Sequence, residues 1–269
     1  MLLLHGYPQT HVMWHKIAPR LAEHFTVVAP DLRGYGDSGK PASAGDLSVY
    51  CKRATALDQV EVMGDLGFDS FHLIGHDRGA RVGHRLALDH PERVLTFTSL
   101  DVVASQAAFD AMDRNLAYSW FHWHLMRQPS PLPETLIGNS AKAYLDFLFD
   151  QWTAVEGAIT EEAYSEYLRC FSDPETIRAT CMDYRSIELD LKHDEGDRGR
   201  KLRCPMLVLW AGNMPKRPGW QTGGRLEMLA SWRERAKDVR GQAIDCGHFL
   251  PEEAPEETTD LLLAFLREN

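Results

Sequence analysis

The chain has 269 residues, 44% of them hydrophobic and 25% charged, enough for one large domain or a core carrying an insertion. Its net charge of −10 speaks against nucleic acid as a partner and requires that any anionic ligand be received by a locally basic site. Five scattered cysteines without C-x-x-C spacing, and no apolar stretch long enough for a signal peptide or a bilayer span, lead us to expect a reduced, cytoplasmic protein with neither disulfides nor zinc.

Taken in order, residues 1–4 read as the end of a buried strand and His5-Gly6-Tyr7-Pro8-Gln9 as a turn. Val12, Ile17, Leu21 and Phe25 recur at roughly helical spacing and predict a helix over 11–24. His11 and His15 lie four apart on it, but no third ligand accompanies them, so no metal is expected there. A second strand is expected over 25–29. The glycine-rich loop after it, 34–39, matches neither a P-loop nor a G-x-G-x-x-G that opens a helix. A helix over 47–66 ends at Gly67. A strand over 71–75 leads into a sharp turn and a helix over 80–90, stopped by Pro91. A further strand covers 93–100, with Asp101 at its end. Strands alternating with helices predict an α/β fold on a mostly parallel sheet with helices on both faces.

That rhythm breaks over 102–200, which reads as helical, irregular and rich in tryptophan and tyrosine. It resumes with a strand over 206–210, a helix over 226–236, a strand over 239–244 and a last helix over 253–266. We therefore expect a core formed by 1–104 and 200–269, interrupted by a helical cap over 105–199. The stretch 215–224, rich in proline and glycine, has no role in this reading.

The chemistry gathers at the turn Gly75-His76-Asp77-Arg78-Gly79. Glycine stands on both sides of the apex, where the backbone is strained and neighbouring chains come close. In the hydrolase turn G-x-S-x-G the apex is serine. Here it is Asp77, whose carboxylate can attack carbon directly, without a base to deprotonate it first. A helix N-cap is the simpler alternative for an aspartate here. Ligands of open parallel sheets bind beyond the carboxyl ends of the strands, and Asp77, Asp101 and His248 each follow such an end. They occur as nucleophile, acid and histidine, the chain order of the α/β hydrolases. The loop after the 206–210 strand holds no carboxylate, which leaves Asp101 as the acid.

The sequence resembles the fluoroacetate dehalogenases, α/β hydrolases with an aspartate nucleophile. The likeness is carried by His5-Gly6-Tyr7-Pro8-Gln9, His76-Asp77-Arg78-Gly79-Ala80-Arg81, Asp101, Phe121-His122-Trp123, Gln128-Pro129 with Pro131-Leu132-Pro133-Glu134, Asp183-Tyr184-Arg185 and Gly247-His248-Phe249. It implies a small haloacetate substrate and no cofactor, metal, nucleic acid or membrane partner, and it suggests a homodimer. Arg78 and Arg81, three residues apart, are expected to hold the substrate carboxylate, which a guanidinium matches better than an ammonium. His122, Trp123 and Tyr184 would donate to the departing halide, although aromatic residues in an insertion are usually core. The adjacent His122-x-His124 is not expected to bind metal. The backbone N–H groups of Tyr7 and Arg78 would form the oxyanion site. Family members carry an antiparallel hairpin before the present start, so an exposed edge is expected at the first strand. An epoxide hydrolase using Tyr184 and Tyr144, and a non-catalytic binder of small carboxylates, are the alternative readings.

Overall fold

The computed structural model describes residues 1–214 and 227–269. The expected Pro- and Gly-rich stretch 215–224 lies outside the described residues. Five strands form one sheet in sequence order: β1 (Leu2–Leu4), β2 (Phe71–His76), β3 (Val94–Leu100), β4 (Met206–Ala211) and β5 (Val239–Ile244). Every pairing is parallel. The strands β1 to β4 are near-continuous apolar runs, and most of their residues are buried, as expected of a parallel sheet covered on both faces.

The register levels the strand ends. Leu4 pairs with Gly75, His76 with Leu100, Leu100 with Leu209, and Ala211 with Ile244. The residues just beyond these ends, including Asp77, Asp101 and the 246–249 turn, therefore emerge along one edge of the sheet.

Between β3 and β4 the chain runs through eight helices, from Ser105–Asp110 to Ile187–Gly196. The tyrosines and tryptophans there are mostly buried, with Tyr118 the exception at 73% exposure. Among the described residues no helix is long and apolar enough to cross a membrane.

Three expectations need correction. The strand over 25–29 reduces to one parallel bridge, Val28 to Leu2, held by Leu3 N–H to Val28 O and Val28 N–H to Met1 O, each 2.9 Å. Its apolar residues are only partly buried and pack against the core without a ladder. The helix over 11–24 is two pieces, a 3₁₀ turn at His11–Trp14 and an α-helix at Ala18–Ala22. Pro19 starts the second, since a proline lacks the N–H that a continuous helix would need. The helix over 47–66 likewise divides into Leu47–Val49 and Lys52–Asp65.

Candidate active site

The elbow that presents Asp77 is built by steric exclusion. A Cβ on Gly79 would stand 2.2 Å from the Leu4 carbonyl oxygen, and one on Gly75 would stand 2.6 Å from the Ala80 nitrogen. Gly6 packs against the apex itself, where a Cβ would lie 2.5 Å from that of Asp77. Neither backbone can give way at such distances, so all three positions require glycine. Asp77 is held at φ +46°, and Asp101 at +51°, in a region that side chains other than glycine's rarely adopt. The Asp77 side chain makes no capping bond to the helix Arg78–Asp89, which removes the N-cap alternative. Instead its Oδ1 accepts the Tyr7 N–H at 3.0 Å.

The charge on Asp77 follows from its neighbours. Burial pushes its carboxyl upward, but His248, His76, Arg78 and Arg81 outweigh burial and hold it at about 2. Of these, Arg78 and Arg81 are the lasting cations. Burial, with a smaller contribution from His248, lowers His76 to about 3, so that imidazole stays neutral.

His248 follows β5 and lies against the elbow. Its Nδ1 bonds Asp101 Oδ2 at 2.5 Å, and Asp101 Oδ1 accepts the Ala211 N–H at 2.9 Å. Asp101 thus orients the ring and leaves Nε2 as the basic nitrogen. The His248 main chain is fixed as well. Its N–H donates to Trp152 O, and its carbonyl accepts from His76 Nε2, both at 2.8 Å.

The two arginines are held differently. Arg78 is completely buried and donates through Nε and Nη2 to the two oxygens of Asp183, each at 2.8 Å, and through Nη2 to the Asp183 main-chain oxygen at 3.0 Å. Asp183 also accepts from Tyr35 Oη at 2.8 Å and from the Lys52 ammonium. Burial opposes each charge in this group, and mutual attraction overcomes it for two of them. Asp183 falls far below the usual carboxylate range, and Arg78 rises well above its ordinary value. Among the described residues Arg81 bonds Ser105 Oγ alone, at 2.9 Å, and it lies over the Trp123 ring with Cζ 4.9 Å from its centre. Burial and the nearby Arg78 lower Arg81 to about 10, which still leaves it protonated at neutral pH. Each guanidinium retains one buried nitrogen without a partner among the described residues: Arg78 Nη1 and Arg81 Nε.

A cavity of about 30 Å³ lies between the elbow and the inserted helices. Its wall is formed by Asp77, Arg81, Asp101 and His248 from the core, by His122 and Trp123, and by Val102, Val103, Trp120, Trp152 and Met228. A single water needs roughly 10–15 Å³ on such a measure, so the space suits a body of only a few heavy atoms. Arg78 and Tyr184 were expected at the substrate and are not on this wall. They pack against each other just beside it, Arg78 Cζ lying 4.4 Å from the Tyr184 ring centre. Tyr184 still meets the other two aromatic candidates, with ring centres 5.6 Å from His122 and 6.2 Å from Trp123, and its buried hydroxyl has no partner among the described residues. Tyr144 accepts a hydrogen bond from the Tyr7 hydroxyl at 3.3 Å.

Sequence reasoning missed Trp120, Trp152 and Met228 as walls, and Asp183 as the partner of Arg78. A buried arginine demands a carboxylate, which signals that a partner exists without saying which one.

The alpha/beta hydrolase fold model matches residues 1–255. A fluoroacetate dehalogenase from Burkholderia sp is 41% identical over 271 aligned residues, covering 99% of this chain and 86% of the relative. A soluble epoxide hydrolase from Corynebacterium sp. is 34% identical, covering 98% and 89%. A solved structure from Nostoc sp PCC 7120, provisionally described as an alpha/beta hydrolase, superposes with a TM-score of 0.94 at 53% identity, covering 98% of this chain and 89% of that one. With its elbow, its level strand ends and these full-length likenesses, the chain belongs to the alpha/beta hydrolase family and is a hydrolytic enzyme similar to a fluoroacetate dehalogenase.

Proposed function

We propose that the protein hydrolyses small 2-haloacetates, with fluoroacetate as the leading substrate, through a covalent ester on Asp77. The observation that carries this reading is the pair of buried guanidiniums beside an ionised carboxylate, each with an unpartnered nitrogen. A buried N–H without an acceptor is costly, and a substrate carboxylate would supply the acceptor. Arg81 on the wall would meet it first, and Arg78 Nη1 would complete the grip.

In the first step Asp77 Oδ2 attacks the halogen-bearing carbon in line. The carbon–halogen bond breaks with its electron pair, and halide leaves toward His122, Trp123 and Tyr184. The Tyr7 N–H already rests on Oδ1. In the second step His248 Nε2 takes a proton from water, and the resulting oxygen attacks the ester carbonyl carbon. The Tyr7 and Arg78 N–H groups would stabilise the oxyanion on Oδ1. The bond from that carbonyl carbon to Oδ2 then breaks, releasing glycolate, whose hydroxyl takes the proton from His248. This sequence draws on no metal or organic cofactor. In this reading residues 105–199 are a cap over a core of 1–104 and 200–269, and the cap supplies the halide donors.

The unpartnered Tyr184 hydroxyl would also suit protonation of an epoxide oxygen, which keeps an epoxide hydrolase as the second reading. Against it, an epoxide would leave both guanidiniums unanswered. Fluoride release from fluoroacetate, set beside diol formation from styrene oxide, separates the two, and neither product would indicate a binder. A single turnover in oxygen-18 water then tests the covalent step. The glycolate should be unlabelled and the label should reside in Asp77; label in the first-turnover glycolate would refute the ester.

A further inference from the structure

Among the buried carboxylates that the mechanism leaves unused, Glu253 has unusual partners. Glu253 is 8% exposed and has four backbone N–H groups directed at it. Its Oε2 accepts from Ala154 at 2.7 Å, Val155 at 3.0 Å and Gly247 at 2.9 Å, and its Oε1 accepts from Phe249 at 2.9 Å. Two of the donors flank His248. The other two follow Trp152, whose carbonyl accepts the N–H of His248 itself. Three consecutive N–H groups, 247 to 249, are thus fixed by one carboxylate and one carbonyl. The fit leaves no room for adjustment, since a Cβ on Gly247 would lie 2.5 Å from Trp152 O and 2.7 Å from Glu253 Oε1.

None of these bonds reaches the nucleophile. Asp77 is held by its own N–H to Leu100 O at 3.2 Å and by the Tyr7 N–H. The bonds that hold Asp77 thus differ from those that hold the 247–249 N–H groups, and the link between the two is the His76 Nε2 bond to the His248 carbonyl. Resting on the covalent reading above, we propose that Glu253 is a positioning residue for the second step: it holds the His248 loop against the 152–155 connection, so that Nε2 meets the water that cleaves the Asp77 ester. It touches neither substrate nor reacting atoms. Its charge suits the task, because a carboxylate can accept four N–H bonds, whereas an amide of the same shape must turn one NH₂ toward them.

The test is Glu253→Gln with fluoroacetate, compared with wild type and His248→Asn. Single-turnover fluoride release reports the first step, and intact mass under steady-state turnover reports the ester. The proposal expects fluoride release in the first turnover within about twofold of wild type, kcat reduced about tenfold to a hundredfold, and a carboxymethyl adduct accumulating during turnover. Equal losses in both steps, or full activity with no adduct, would overturn it. Should the amide variant not fold, Glu253→Asp provides the same two measurements, since it retains the charge with a shorter reach and should show the same split more mildly. Failure of the covalent reading is distinguishable: His248→Asn would then remain unmodified by fluoroacetate.

Discussion

Asp183→Asn tests how the buried charges beside the nucleophile are held. The substitution keeps the shape of the side chain and removes the carboxylate to which both Arg78 and Lys52 donate. Arg78 cannot release its proton, so it is left as a buried cation facing a neutral amide. Lys52 can, since burial and Arg78 already lower it from the ordinary lysine value. Removing one partner of a buried ion pair costs about 3–5 kcal/mol. With one stranded cation rather than two, and with the Arg78 bond to the Asp183 main-chain oxygen retained, the lower end applies, about 3 kcal/mol. For a chain of this size that lowers the unfolding midpoint by about 5–7 °C. Arg78 Nη1 should lose its aim as well, and kcat/KM for fluoroacetate should fall about tenfold or more. The double variant Asp183→Asn with Lys52→Met should recover part of the stability, because it removes the buried amine that otherwise has to give up its proton. Thermal unfolding and steady-state kinetics provide both readings. An Asp183→Asn protein that melts with wild type and keeps its KM would refute the idea that this carboxylate sets the arginine.

Other outcomes follow from the same geometry. Trp123→Phe keeps a ring beneath Arg81 but removes the indole N–H, so it should lose about 10²–10³ in rate on fluoroacetate and much less on chloroacetate, whose leaving group accepts hydrogen bonds weakly. Arg81→Ala should harm both substrates alike, chiefly through KM, since it holds the carboxylate they share. In the wild-type enzyme the single-turnover rate of Asp77 alkylation, read as fluoride release, should be flat from about pH 5 to 8, because His248, His76, Arg78 and Arg81 hold the attacking carboxyl down at about 2. The sign for stability is that of a depressed acid: the Asp77 contribution is complete above its ordinary value of 3.8 and is lost as pH falls through about 2. An acid limb near pH 4 in that alkylation rate would show that the cations do not act on Asp77. Gly79→Ala should fail to give folded protein, as judged by circular dichroism and solubility.

How much of this could be seen in the sequence depended on whether the signal was local. The strands β2 to β4 announce themselves as short, mostly apolar and buried runs, and the strand-end rule then brings Asp77, Asp101 and His248 to one edge. The glycine spacing around Asp77 is equally local as a pattern, although the clash that Gly79 avoids is with Leu4, 75 residues away in the chain. The bonds that aim the site are not local. Arg78 meets Asp183 across 105 residues, and Glu253 meets Ala154 across 99. The second pairing leaves no trace in side-chain pattern, since Glu253 bonds only main-chain N–H groups, which every residue but proline carries. The strand expected over 25–29 failed for a related reason: its apolar residues were visible, but not that, among the described residues, Val28 alone would bridge to Leu2.

The crowding at the elbow has a consequence for altering the enzyme. Gly6, Gly75 and Gly79 meet main chain or the Cβ of Asp77 within 2.6 Å of any added carbon, so the sheet side of the site is closed to variation. The opposing side is made of aromatic side chains on separate helices, Phe121–Met126 and Ala141–Trp152 among them, and these can be trimmed or exchanged one at a time. A mutant library spread evenly over the cavity wall would therefore be lost at the elbow. The same number of clones placed on the helical wall would sample new substrate shapes around an unaltered nucleophile.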